Sequence, residues 1–123
     1  MIAVIFEVLP HETKKDDYFT IAAALKPALE KIPGFISVER FQSLTDPGKI
    51  LSLSFWENEA GIQQWRGLEM HRLAQAEGRQ HIFRDYRLRI AGVIRDYGMY
   101  NREEAPADSR GFHDTAHGAV TTI

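Results

Sequence analysis

The chain has 123 residues, which suits one domain with a single core. It contains no cysteine, and this excludes disulfides, thiolate metal sites, iron–sulfur ligation and cysteine nucleophiles. A net charge of −2, with acidic and basic residues interspersed, offers no basic stripe for nucleic acid, and no apolar run approaches the roughly 20 residues that span a bilayer. The first residues lack the basic start of a signal peptide, and Glu7 interrupts their apolar run. These features predict a soluble, cytoplasmic protein with neither nucleic acid nor membrane as partner.

Ile2 to Leu9 reads as a strand ended by Pro10. Ile2, Val4, Phe6 and Val8 share one face and Ala3, Ile5, Glu7 and Leu9 the other, so both sides need cover. A helix follows from Asp16, with Tyr18, Ile21, Ala22, Leu25, Leu29 and Ile32 at three- and four-residue spacing. Thr13 or Asp16 is expected to cap it, Pro27 to bend it, and Pro33-Gly34 to stop it. Phe35 to Leu44 alternates, with Phe35, Ser37, Glu39 and Phe41 on one face and Ile36, Val38, Arg40 and Gln42 on the other. Asp46-Pro47-Gly48 marks a hairpin turn, and the strand Ile50 to Glu57 returns with Leu51, Leu53 and Phe55 opposite Ile50, Ser52, Ser54 and Trp56.

Asn58 is expected to cap a second helix whose stripe starts with Ile62 and Trp65. Gly67 predicts a break, after which Met70, Leu73, Ala74 and Glu77 follow the i, i+3, i+4, i+7 template of a new helix face with His71 and Gln75 on its flank. Gly78 to Asp85 reads as a connector, and Tyr86 to Tyr97 as a long last strand. Residues 1–98 form the predicted domain, and 99–123, small, polar and charged, a tail that is disordered or draped on the body.

The order β-α-β-β-α-β is that of the split-βαβ, ferredoxin-like α+β fold. Two helices cover one sheet face, so the apolar residues of the other predict a homodimer packed sheet to sheet. The alternative is a monomer whose second face lies under the tail.

Among chemistry-bearing residues, Trp65 is a core residue or a pocket wall, with an indole N–H that needs a partner. His71 is a surface group or a base titrating near neutrality. Asn58, Arg66, Arg84 and Arg87 could reach the same pocket or simply be solvated. His113 and His117 have ligand spacing, but Gly111 and Gly118 flank them and no metalloprotease motif surrounds them, so no metal site is expected.

The segments Ile32-Pro-Gly-Phe-Ile-Ser-Val-Glu-Arg-Phe41 and Leu51-Ser-Leu-Ser-Phe-Trp-Glu-Asn-Glu-Ala60, followed by Trp65-Arg66 and His71, resemble the antibiotic biosynthesis monooxygenase family over roughly residues 2 to 97. The resemblance implies a dimeric α+β barrel and, in some members, oxidation of phenols or quinols by O₂ with no cofactor. It implies a pocket lined by Trp65, a proton-handling role for His71, and an oxyanion held by Arg84 or Arg87. Phe6, Phe55, Asn58 and Gln75 complete the expected binding set. The family's pocket asparagine falls at Gly61.

A haem-degrading branch carries an axial histidine ten residues after the helix tryptophan, where this chain has Gln75, a poor iron ligand. Three readings follow. The first is a cofactor-independent monooxygenase acting on a small aromatic substrate. The second is a haem-binding or haem-degrading protein, in which loss of the haem spectrum in His71→Ala but not His81→Ala would be decisive. The third is a non-catalytic small-molecule-binding dimer.

Overall fold

Central strand β1 (Ile2–Pro10) pairs antiparallel with both β3 (Ile50–Trp56) and β4 (Phe83–Gly92), and β3 pairs with β2 (Phe35–Gln42), giving the order β2-β3-β1-β4. Helices α1 (Lys15–Glu30) and α2 (Glu59–Gln75) connect β1 to β2 and β3 to β4, and a short α3 (Ala107–His113) follows. This is the expected ferredoxin-like α+β arrangement. The computed structural model describes residues 1–75 and 82–113, the side chains of 73–75 excepted. The chain divides into two units, Met1–Gly92 and Val93–Ile123.

Strand alternation sets the first unit. The register aligns Val4 with Ser54 and Ile90, and Phe6 with Ser52 and Leu88, so these side chains share the helix-covered face. Two clusters form there. One joins Phe6, Val8, Tyr18, Ile50, Ile82 and Phe83; the other joins Val4, Leu29, Ile32, Trp56, Ile62 and Trp65. Trp56 is fully buried, and its indole Nε1 donates to the buried Ser54 hydroxyl at 2.9 Å. The pair satisfies two polar groups that would otherwise each cost about 1–3 kcal/mol in the core.

The helical stripe of α1 is as expected, with Tyr18, Ala22, Leu25 and Leu29 buried. Its start differs. A 3₁₀ turn at Glu12–Lys14 leads directly into the helix, and neither Thr13 nor Asp16 caps it with a side chain. Gly34, at φ +90°, ends the connection in the left-handed region that glycine tolerates, and its carbonyl accepts from Glu57 N–H at 2.7 Å. The Asp46-Pro47-Gly48 turn closes β2 on β3, with Asp46 Oδ1 accepting from Gly48 N–H at 3.2 Å.

Three expectations are corrected. A bulge between Phe35 and Ser37 shifts the register by one residue, so Phe35 leaves the face of Glu39 and Phe41 and packs edge-on against Trp56, ring centroids 5.3 Å apart. Helix α2 does not break at Gly67, which is exposed with nothing near it; a helical glycine costs only about 1 kcal/mol, and the packing of Ile62, Trp65 and Leu68 carries the helix through. Strand β4 runs from Phe83 to Gly92, because its pairing starts at Pro10 and Gly92 lies opposite Ile2, where β1 itself begins. Residues 93 to 97 have no strand partner among the described residues.

Asn58 does cap α2, its Oδ1 accepting from Gly61 N–H at 3.3 Å. In the second unit, α3 occupies part of the segment read as a tail. Arg102 lies 5.3 Å from the centre of the Tyr97 ring and donates to Ser109 Oγ, and Arg110 Nε donates to the Ala105 carbonyl at 2.8 Å.

Candidate functional site

Between α2 and the β1–β4 half of the sheet lies a cleft of about 260 Å³. Val4 and Phe6 of β1 form its floor. Phe83, Tyr86, Leu88 and Ile90 of β4 form one wall, and Ile62, Trp65, Arg66, Glu69 and Met70 of α2 the other. The rings of Phe6, Phe83 and Tyr86 meet at centroid distances of 5.5 to 5.9 Å, an aromatic corner suited to a flat or apolar guest. The β4 wall remains open, with Tyr86, Leu88 and Ile90 each about 40% exposed.

Two charged groups break this apolar lining, both from α2. Arg66 and Glu69 are three residues apart on the helix, so they lie on neighbouring turns of one face. Burial pushes the Glu69 carboxyl up to about 7, while Arg40 pulls it back only in part. Behind Glu69 a second chamber, about 20 Å³, is lined by Tyr18, Leu25, Lys26, Arg40 and Trp65 among others. Arg40 and Tyr18 both line this chamber, and the Arg40 Nε is buried without a hydrogen-bond partner among the described residues. Burial raises the Tyr18 hydroxyl above its ordinary value, with Arg40 opposing the shift.

The sequence-predicted residues divide sharply. Trp65 and Phe6 line the cleft, as does Arg66. His71 is exposed on α2 and is not part of the lining, because the unbroken helix never resets its face after Gly67. Phe55 stands opposite Ala3, and Arg87 opposite Glu7, which places both on the other side of the sheet. Arg84 is exposed at the register shift between the Leu9–Asp85 and Pro10–Phe83 pairings, outside the lining. Asn58 serves as the α2 cap. Gln75 ends α2 with its side chain outside the described residues, where His81 and His117 also fall.

Gly61 has a steric reason. A Cβ there would sit 2.8 Å from the Pro33 carbonyl oxygen and about 3 Å from the Trp56 ring, so no asparagine fits without moving the helix start.

Glu69 and Arg40 were missed in the sequence. Glu69 lies four residues after Trp65, on the continuation of the Ile62–Trp65 stripe, and restarting the helix at Gly67 hid it. Arg40 shares the alternation of Val38, so a charge at an inward position was the available signal. Among the described residues, no group of three or more histidine, aspartate or glutamate side chains is arranged to hold a metal ion, and no histidine lines the cleft to offer haem iron an imidazole. No helix among them is long and apolar enough to cross a membrane.

This sheet, with a cleft under the second helix, defines an α+β fold with a pocket of small-molecule size between helix and strands, and residues 1–77 match the antibiotic biosynthesis monooxygenase domain. The chain belongs to that family. It is 42% identical over 125 residues to the jasmonate monooxygenase ABM of Pyricularia oryzae (strain 70-15), covering all of this chain and 58% of that protein. It is 32% identical over 63 residues to the uncharacterized protein YqjZ of Bacillus subtilis (strain 168), covering 51% of this chain and 54% of that one. The chain spans 58% of the length of the first relative, and its match to the second covers about half of each.

Solved structures share the fold. Rv0793 from Mycobacterium tuberculosis superposes with a TM-score of 0.66 at 14% identity, over 79% of this chain and 98% of that one. SnoaB from Streptomyces nogalater, a cofactor-independent oxygenase solved as a point mutant, gives 0.62 at 8% identity over 77% and 94%.

Proposed function

We propose that the chain is a monooxygenase that uses O₂ on a phenolic or quinol-type small molecule held in the α2 cleft. The observation that carries this reading is the cleft itself, in a chain of this family: a pocket with an aromatic corner, and a cation and a near-neutral carboxyl on one wall. Electron counting supports the substrate class. A phenol with a free para position plus O₂ gives a quinone plus water with every electron supplied by the substrate, so no cofactor is called for. Hydroxylating an unactivated carbon needs two further electrons from a reductant.

In this reading Trp65, Phe6 and Tyr86 enclose the ring, and Arg66 holds the oxyanion that forms when the substrate loses its proton. The family resemblance implies an oxyanion arginine at Arg84 or Arg87; the cleft offers Arg66 from α2 instead. Oxygen uptake by purified, metal-free protein on anthrone and quinol substrates tests the reading. Expected is one O₂ consumed per quinone formed with no added reductant. No uptake across the panel, or uptake only with added metal or reductant, sinks it.

A second reading has its own support, the 42% identical relative named for jasmonate. An apolar wall facing Arg66 also suits a small apolar carboxylate. Product from jasmonate only when a reductant is supplied would select this alternative.

The open sheet face carries Ile5, Leu51, Leu53 and Phe55, all half-buried, and Phe41, exposed. We assign it to a second copy of the chain. Sedimentation is expected to give about twice the 14.0 kDa chain mass, and Leu53→Asp to return it to one chain.

A further inference from the structure

Glu69 lines two spaces at once, the substrate cleft and the small chamber behind it. Among the described residues it has no ion-pair partner, although every element packed around it except β1 brings a polar or charged group. Arg40 comes from β2, Tyr18 and Lys26 from α1, Arg66 from α2 itself and Tyr86 from β4. Val4 and Phe6 of β1 are apolar. A carboxyl kept half in a dry aromatic wall, with cations near but not bonded, has no structural task that a glutamine or leucine would not perform at lower cost.

We propose that Glu69 is the proton acceptor of the cleft, taking the acidic O–H proton of the bound substrate and relaying it through the chamber shared with Arg40 and Tyr18. The substrate class rests on the monooxygenase reading; the acceptor role rests on the geometry. In the step, the substrate O–H bond breaks, its electron pair stays on the substrate oxygen, and a new O–H bond forms on a Glu69 carboxylate oxygen. Charge is conserved: the carboxylate becomes neutral as the substrate becomes an anion facing Arg66. The chamber, at about 20 Å³, has room for one water molecule, with the buried Arg40 Nε to donate to it and Glu69 to accept from it. That water gives the proton a way out that does not pass the substrate.

The acceptor's ordinary range would leave it ionised but too weak a base for a phenol. Burial raises it to about 7, close to the optimum for proton transfer at neutral pH. Arg40 limits that rise, so the pair sets the working value.

Two measurements test the proposal. In the first, 4-nitrophenolate is titrated at about pH 8 into wild type and Glu69→Gln by calorimetry in buffers of different ionisation heat. Two anions cannot share the cleft, so wild type is expected to take up about one proton per probe bound and Glu69→Gln none. Equal proton counts, or a probe that does not bind wild type, overturn the proposal. In the second, kcat/KM for quinol oxidation is followed from about pH 5 to 9. Wild type is expected to rise to a plateau with an inflection near neutrality, Glu69→Gln to lose roughly 100-fold and the inflection with it, and Glu69→Asp to keep the inflection at reduced rate. An unchanged profile in Glu69→Gln overturns the acceptor role and leaves the monooxygenase reading standing. Proton uptake without any quinol turnover does the reverse.

Discussion

On the helix side of the sheet Val4, Phe6, Val8, Ile50 and Trp56 are each at most 6% exposed; on the other side Ile5, Leu51, Leu53 and Phe55 are half-buried and Phe41 is 43% exposed. The same alternating strands build both faces, so the difference comes from what α1 and α2 cover. It also governs how each face treats polar groups. Ser54 and Glu69 on the covered side are largely out of water, so the few polar groups near them decide their chemistry. Glu7 on the open side meets Arg89 at 3.3 Å and Lys49 at 3.7 Å in reach of water. Chemistry that depends on a shifted carboxyl therefore belongs to the covered face, and the open face is the one proposed above for a second copy.

The sharpest way to break that contrast is a deletion in each core. Trp56→Ala removes a fully buried ring and leaves Ser54 without its indole donor, an expected loss of about 3–5 kcal/mol. Leu53→Ala on the open face is expected to cost about 1 kcal/mol in the separated chain. Urea melts at low protein concentration compare the two. Similar losses would mean that the open face is as well packed as the covered one.

The covered carboxyl offers the next largest effect. Because the folded state raises Glu69 from its ordinary value of 4.5 to about 7, it holds a proton more tightly than the unfolded chain does. Stability from this group is complete below about pH 4.5 and declines as pH rises through 7, by up to about 3 kcal/mol before solvent screening is allowed for. Glu69→Gln keeps the shape without the titration, so its unfolding free energy is expected to stay level over the same window where wild type falls. A wild-type slope of zero or of opposite sign in denaturant titrations would show that the carboxyl is solvated.

Two glycines of α2 extend the comparison to the backbone. Gly61→Ala places a Cβ against the Pro33 carbonyl and is expected to cost about 1–3 kcal/mol, whereas Gly67→Ala meets nothing and should gain up to about 1 kcal/mol in helix propensity. Thermal melts of both variants read the sign directly.

Much of this was legible in the sequence. Alternation in Ile2–Leu9 and Ile50–Glu57 and the stripe from Tyr18 to Ile32 set the element order, and with it the sheet topology and the placing of Trp65 and Phe6. Three things were not. The Phe35 bulge depends on where β2 meets β3, a pairing that alternation within one strand does not encode. The end of β4 depends on where β1 begins. The persistence of α2 past Gly67 depends on the packing of Trp65 and Leu68, and misjudging it put His71, on the exposed side, in the place of the cleft-lining Glu69 two residues before it. Arg87 was likewise assigned to the pocket although strand parity opposite Glu7 puts it on the far face.

The smallest expected effect lies with that far face. Glu7 is one-third exposed, and its partners Lys49 and Arg89 are 40% and 56% exposed, so both ion pairs are screened by water and salt. In the separated chain Glu7→Gln should change stability by less than about 1 kcal/mol, and by less still at high salt. If a second copy covers this face, the same three side chains lose their water, and removing Glu7 strands two cations in the interface. The variant then weakens association far more than folding. Sedimentation and chemical denaturation of Glu7→Gln, each at low and high salt, separate the two. A change in stability with no change in association would place Glu7 outside the contact and move the assigned interface away from β1.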